Sequence, residues 1–280
     1  MARVKCIWEA QATLGEGPIW VAHEQTLYWV DIKAPSIHCY QPNTQGKKSW
    51  PLDEKIGCLV YRPNDGFLAG LESGFARVEF GDSGTEPIIN KIVDPEPDLP
   101  GNRFNDGKLD TQGRFWAGTM DNAETKKSGS WWVLDHDDQV YQIDTGYQVT
   151  NGPAFDEARN RVYLTDSAAQ TIYCAEKKSG IGIANKRVFC QFGEGDGYPD
   201  GMTTDADGNL WVAFWDGSCI RQFDLDGNII RTVNLPIPRP TSLCFDTNRS
   251  ALFVTSARIN LCDQQIFDAP LSGGLFEVIV

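Results

Sequence analysis

The sequence predicts an all-β fold, a six-bladed β-propeller whose last blade is closed by an N-terminal strand. Three observations predict it. Short aromatic-rich strand patterns recur six times at near-constant spacing, no long stretch carries the 3.6-residue apolar period of an amphipathic helix, and aromatics reach 11 % with 9 Trp. A chain of 280 residues with 41 % hydrophobic content can fill a core, and its repeats run through nearly all of it, so it reads as one domain, 1–280.

The repeats begin at "LGEGPIW" about Glu16, "IGCLVY" about Cys58, "FNDGKLD" about Asn105, "TNGPAFD" about Asn151, "PDGMTTD" about Asp200 and "PTSLCFD" about Thr241. The intervals are 42, 47, 46, 49 and 41 residues. Each start leads through a turn such as "DTQG", "DADG" or "DTNRS" to a second strand: "LYWVD", "FLAGL", "RFWAGT", "VYLTD", "LWVAFW", "LFVTS". Third strands follow, from "SIHCYQ" in the first repeat to "GLFEVIV" in the last, and a fourth is legible in some ("RVFCQF", "IIRTVNL"). The last repeat ends without one. "RVKCIWEA", ahead of the first repeat, reads as the strand that completes it, because an open sheet edge invites aggregation. In a propeller the first strand of each blade lines the channel, so Glu16, Asn105, Asn151 and Asp200 are expected to converge at one mouth.

Composition narrows the function. A net charge of −13 and pI near 4.6 argue against a basic nucleic-acid surface, and the pairs Lys47-Lys48, Lys126-Lys127 and Lys177-Lys178 read as solvated turns. No apolar run approaches the roughly 18 residues of a membrane helix, and Glu9 interrupts the opening before a signal-peptide stretch develops; the expected location is cytoplasmic. The 8 Cys contain no C-x-x-C pair and several sit in apolar strands, so free, mostly buried thiols are expected. With only 3 His, a histidine triad or three-histidine zinc site finds no support, and neither a G-x-S-x-G elbow nor a nucleotide-binding glycine motif occurs. "DADGN" and "DLDGN" start like EF-hand loops but lack the later loop residues, and read as hairpin turns.

Glu16, Asn151 and Asp200 each precede a glycine in equivalent repeat positions. Acid- or amide-glycine pairs are ordinary turn formers, so a purely structural reading stands beside a functional one. Two carboxylates and an amide form an oxygen-only set suited to a hard or borderline divalent cation; without one, the carboxylates would repel or hold a proton.

"LGEGPIW", "RFNDGKLDTQGRFWAGTM", "TNGPAFD" and "YPDGMTTDADGNLWVAFWDG" resemble the senescence marker protein/gluconolactonase/luciferin-regenerating enzyme family, over nearly the whole chain. "WVDIK", "NKRVF" and "PLSGGLFEV" look most like its bacterial sugar lactonases, including xylonolactonases. The resemblance implies a six-bladed propeller with one catalytic divalent metal, of which Ca, Mg, Mn, Zn and Fe(II) all accept oxygen ligands. Carried over by motif, the metal residues are Glu16, Asn151 and Asp200, with Asp200 also the catalytic base or proton shuttle, and Arg103 and Asn105 contact substrate. The family's further substrate glutamate after "GTM" corresponds to Glu124, one place out of register with some relatives. From the residues alone, Arg103 could instead form a surface ion pair, and Asn105-Asp106 an Asx turn.

The implied reaction is metal-dependent hydrolysis of a small sugar lactone to the aldonic acid, with no nucleic acid, membrane or obligate protein partner. Its rivals are a phosphotriesterase-type hydrolase on the same scaffold, a non-enzymatic calcium-binding regulatory propeller, and a propeller serving only as an interaction platform.

Overall fold

The computed structural model describes residues 2–81 and 86–280. They form six four-stranded antiparallel sheets arranged as a six-bladed β-propeller. The innermost strands are Gly15–Val21, Ile56–Arg62, Asn102–Leu109, Thr150–Asp156, Tyr198–Thr204 and Pro240–Phe245, one from each repeat start. Each blade then meanders outward through short turns. "DADGN" is such a turn: the Asp205 carboxylate accepts from the Asp207 and Asn209 N–H groups at 3.0 and 2.9 Å and ties the hairpin to itself.

The sixth blade supplies three strands from the C-terminal end, Pro240–Phe245, Leu252–Ser256 and Leu275–Ile279, and takes its outermost from Arg3–Trp8. Arg3 pairs with Ile279, Val4 with Val278 and Cys6 with Phe276, which satisfies the backbone edge that Leu275–Ile279 would otherwise expose.

Apolar burial lies between blades. Six clusters bridge the six neighbouring pairs. Val30 and Ile37 meet Ile56 and Leu71, for example, while Trp116 and Trp131 meet Val162 and Leu164. The cluster joining the first and sixth blades contains Leu27 and Trp29 with Phe253 and Leu275, backed by Trp8 of the N-terminal strand. Truncating such a fully buried Trp or Leu costs about 2–5 kcal/mol, so no interface of the ring is dispensable.

The outer strands are where the sequence is least legible. Gly46–Pro51 is largely exposed and carries no apolar alternation strong enough to mark it, whereas Ile229–Asn234, also exposed, is the strand read from "IIRTVNL". One expectation fails: Lys177 is no solvated turn residue. It ends the strand Thr171–Lys177, is buried, and pairs through Nζ with Glu157 Oε2 at 2.5 Å. The cysteines are free; five are buried, and Cys262 is exposed. Among the described residues no helix is long and apolar enough to cross a membrane.

Candidate active site

Every innermost strand breaks its register with the second strand near its channel-mouth end. The breaks fall between Glu16 and Ile19, Ile56 and Cys58, Phe104 and Gly107, Asn151 and Ala154, Pro199 and Met202, and Pro240 and Leu243. Such an irregularity re-aims a side chain off the regular alternation of a strand. Glu16, Asn105, Asn151 and Asp200 all sit at or within these breaks, and the glycines that follow three of them make the geometry possible. Gly152 has φ +91°, and a Cβ on Gly201 would lie 2.2 Å from Ser242 Oγ of the next blade. The acid-glycine and amide-glycine pairs therefore do both jobs weighed from the sequence: they bend the strand, and the bend delivers a polar side chain to the axis.

The six expected site residues come together. Glu16, Arg103, Asn105, Glu124, Asn151 and Asp200 line one cavity of about 350 Å³, with apolar wall from Leu14, Met120, Val149 and Ile259. A larger cavity of about 810 Å³, at the other ends of the inner strands among Trp20, Tyr61 and Lys108, contains none of them.

Asn105 Nδ2 donates to Asn151 Oδ1 at 3.0 Å and to the Thr150 carbonyl at 2.6 Å. Asn151 Nδ2 donates to Ser167 Oγ at 2.8 Å, and Ser167 Oγ donates to the Pro199 carbonyl at 2.6 Å, next to Asp200. These bonds fix the Asn151 amide and link three blades. Arg103 is only 2 % exposed; its Nη1 donates to Asn105 Oδ1 at 2.7 Å and its Nε to Asn122 Oδ1 at 3.2 Å. That burial removes the surface ion-pair reading. Asn105 is likewise no loop-turn residue but a buried strand residue. Glu124 stands at the exposed rim with φ +58°.

The carboxylates are strained electrostatically. Burial, then the Asp106 carboxylate, push the Glu16 carboxyl well above its ordinary range, although the Gly17 N–H donates to Oε2 at 3.1 Å. Burial, then Glu16 and Asp106, push Asp200 the same way. Asp200 Oδ1 is buried with no hydrogen-bond partner. A buried, unpartnered carboxylate oxygen beside a second buried carboxylate is a costly arrangement for a protein alone, and a divalent cation would offset it. Among the described residues no cluster of three or more His, Cys, Asp or Glu is set to hold a metal; beside Glu16 and Asp200 the further oxygen on this cavity is the Asn151 amide. The residues present fit an oxygen-ligated divalent cation.

Two participants escaped the sequence reading. Asp106 is buried and accepts from the Gly107 N–H at 2.7 Å and the Gly152 N–H at 2.9 Å, tying the third blade to the turn beneath Asn151. Lys33 reaches the cavity from the loop after the strand Thr26–Asp31. Asp106 looked like one half of a turn pair, and Lys33 lies outside every repeat start; only the closed ring brings it to the mouth.

A six-bladed propeller that brings neighbouring buried carboxylates, an amide and a buried arginine to one channel mouth has there a candidate site for a small polar molecule. The chain belongs to the SMP-30/gluconolactonase/LRE-like family, whose model matches residues 14–258. It is similar to a pentonolactonase of Haloferax volcanii (35 % identical, covering 89 % of this chain and 83 % of that one). It is also similar to a 6-deoxy-6-sulfogluconolactonase of Pseudomonas putida (30 %, 99 % and 94 %). Among solved structures, a calcium-binding protein, regucalcin, from Agrobacterium tumefaciens superimposes with a TM-score of 0.92 at 26 % identity, covering 98 % of this chain and 92 % of that one.

Proposed function

We propose that the protein hydrolyses a sugar lactone to its aldonic acid, with one divalent cation held by Glu16, Asn151 and Asp200, and that residues 1–280 work as a single domain in the cytoplasm. The observation that carries this reading is the unpartnered Oδ1 of Asp200, buried beside Glu16 in a cavity that also presents Arg103 and Asn105. The relatives named as lactonases support the reaction class, and the regucalcin named as calcium-binding supports a cation. Free thiols throughout the described chain fit a reducing compartment.

A lactone is a cyclic ester, opened by water at its carbonyl carbon while negative charge builds on the carbonyl oxygen. A divalent cation at Glu16, Asn151 and Asp200 supplies Lewis acidity for that charge. Asp200 has two oxygens, so one can serve as a donor while the other takes the proton of the attacking water. Asn105 and Ser167 keep the Asn151 amide from turning, so its oxygen stays aimed at the cavity. Arg103, fixed by Asn122 and Asn105, presents its guanidinium to ring or hydroxyl oxygens, with Asn105 and Glu124 completing the polar contacts. Leaving such buried donors unpaired is costly, which selects for hydroxylated substrates.

The test is acid release, followed at constant pH, across pentono- and hexonolactones and a set of phosphotriesters, with each candidate metal supplied in turn. Turnover of the lactones, with the triesters at least ~100-fold slower in kcat/KM, is expected, a difference of about 2.7 kcal/mol in the barrier. Preferred turnover of the triesters, or tight metal binding with no lactone opened, would transfer the site to one of the rival functions.

A further inference from the structure

Besides its carboxylates the cavity carries two cations that a bound metal would not use, Lys33 and Arg103. Lys33 Nζ lies 3.4 Å from Asn122 Oδ1, the same neutral oxygen that accepts from Arg103 Nε at 3.2 Å. Among the described residues neither cation has a carboxylate oxygen within 4.0 Å, while twelve other ion pairs are formed elsewhere. Glu124, exposed on the same cavity, and Glu72 attract both cations from beyond that distance without pairing with either. The buried Arg103 guanidinium and the half-buried Lys33 ammonium share one amide oxygen and repel each other, and the lysine's proton is loosened by burial and by Arg103.

Lys33 is also held in place. Asp31, at the end of its strand and buried, accepts backbone N–H bonds from Thr13 (2.7 Å), Leu14 (3.0 Å), Lys33 (3.1 Å) and Ala34 (3.0 Å). The loop that carries Lys33 is thereby pinned to the segment leading into Glu16.

We infer that Lys33 is a specificity-determining residue that, with Arg103, binds an anionic group carried by the lactone at the end remote from its carbonyl: a phosphate, a sulfonate or a carboxylate. The inference rests on the lactonase reading of the same cavity. With the carbonyl toward Glu16, Asn151 and Asp200, the rest of the substrate lies along the remaining lining of the cavity, which includes Lys33 and Arg103. A tetrahedral or planar anion bridging them would replace the poor shared acceptor with charge-assisted bonds to both. Such a site distinguishes charged from neutral lactones, because a neutral tail leaves the repulsion in place.

The experiment compares a neutral hexonolactone with the same lactone bearing a terminal phosphate, for the metal-loaded wild type and Lys33→Met, which keeps length and removes charge. The wild type is expected to favour the phosphorylated lactone, mainly through KM, and the variant to lose 10- to 100-fold of that kcat/KM ratio. Calorimetric binding of the phosphorylated and unphosphorylated aldonic acids gives the second readout, expected to show a matching loss in the variant for the phosphorylated acid. If neither lactone is opened but phosphorylated-acid binding still depends on Lys33, the anion site stands and the lactonase reading falls. Lactone turnover whose ratio is the same in both proteins, with acid binding indifferent to Lys33, would overturn the inference.

Discussion

At Glu16 a single residue shows how far chemistry can be read before a fold is known. A carboxylate between Gly15 and Gly17 has no packing rationale in its own segment, and only its recurrence as Asn151-Gly152 and Asp200-Gly201 marks it as one of a set. What spacing could not convey is the electrostatic cost. Glu16 and Asp200 hold protons more tightly than ordinary carboxylates because burial penalises their ionisation, as do the Asp106 charge on Glu16 and the Glu16 and Asp106 charges on Asp200. The consequence has a definite sign. A carboxyl with a raised folded-state pKa binds more protons folded than unfolded, so its contribution to stability falls as pH rises above the unfolded-state values near 4.5 and 3.8. Metal-free protein should therefore lose Tm as pH climbs from that range toward neutrality, and added metal should restore more of it at higher pH. Glu16→Gln, which cannot ionise, should flatten the metal-free curve. Thermal melts of both proteins across pH, with and without metal, check this; identical slopes would remove Glu16 from the coupled set. Lys33 and Asp106 were invisible at this scale, since a lysine after "WVDI" and an aspartate before a glycine carry no signal of their own.

At the scale of elements, strands were legible in proportion to their burial. Inner and second strands such as Leu210–Trp215, buried along nearly all their length, announce themselves as apolar runs, whereas Gly46–Pro51 exposes most of its residues and leaves no pattern. The register breaks were not legible, because a bulge is a relation between two strands rather than a property of one. The N-terminal strand was foreseen by subtraction: the last repeat needed a partner, and Arg3–Trp8 pairs with Leu275–Ile279. Its role is more than edge protection, since Trp8 packs edge-on to Trp29 of the first blade with ring centroids 5.5 Å apart. Deleting residues 1–10 should bare the Leu275–Ile279 edge, loosen the junction of first and sixth blades, and lower stability by at least ~3 kcal/mol, with aggregation on storage. Denaturant titration and light scattering decide it; a truncated chain as stable and monodisperse as the intact one would show that the ring closes without this strand.

For the molecule as a whole, ring closure is what turns scattered residues into a site. Three blade starts lie between Glu16 and Asp200 in sequence, yet the two line one cavity, because every inner strand runs along the same axis. The site therefore depends on all six interfaces, and the buried carboxylates are held together at the expense of the folding energy of the entire propeller. The central claim is that Glu16, Asn151 and Asp200 hold a cation on which lactone opening depends. The measurement that tests it most directly is metal titration of the stripped wild type, Glu16→Gln and Asp200→Asn, with bound metal and lactone turnover read on the same samples. Stripped wild type should be inactive and recover with one equivalent of metal. Glu16→Gln should bind metal at least ~10-fold more weakly, about 1.4 kcal/mol, and regain activity when metal is raised. Asp200→Asn should take up metal at high concentration and stay slow, because the proton acceptor is gone. Full metal occupancy and full lactonase activity in Glu16→Gln, or undiminished turnover by the stripped wild type, would contradict the account.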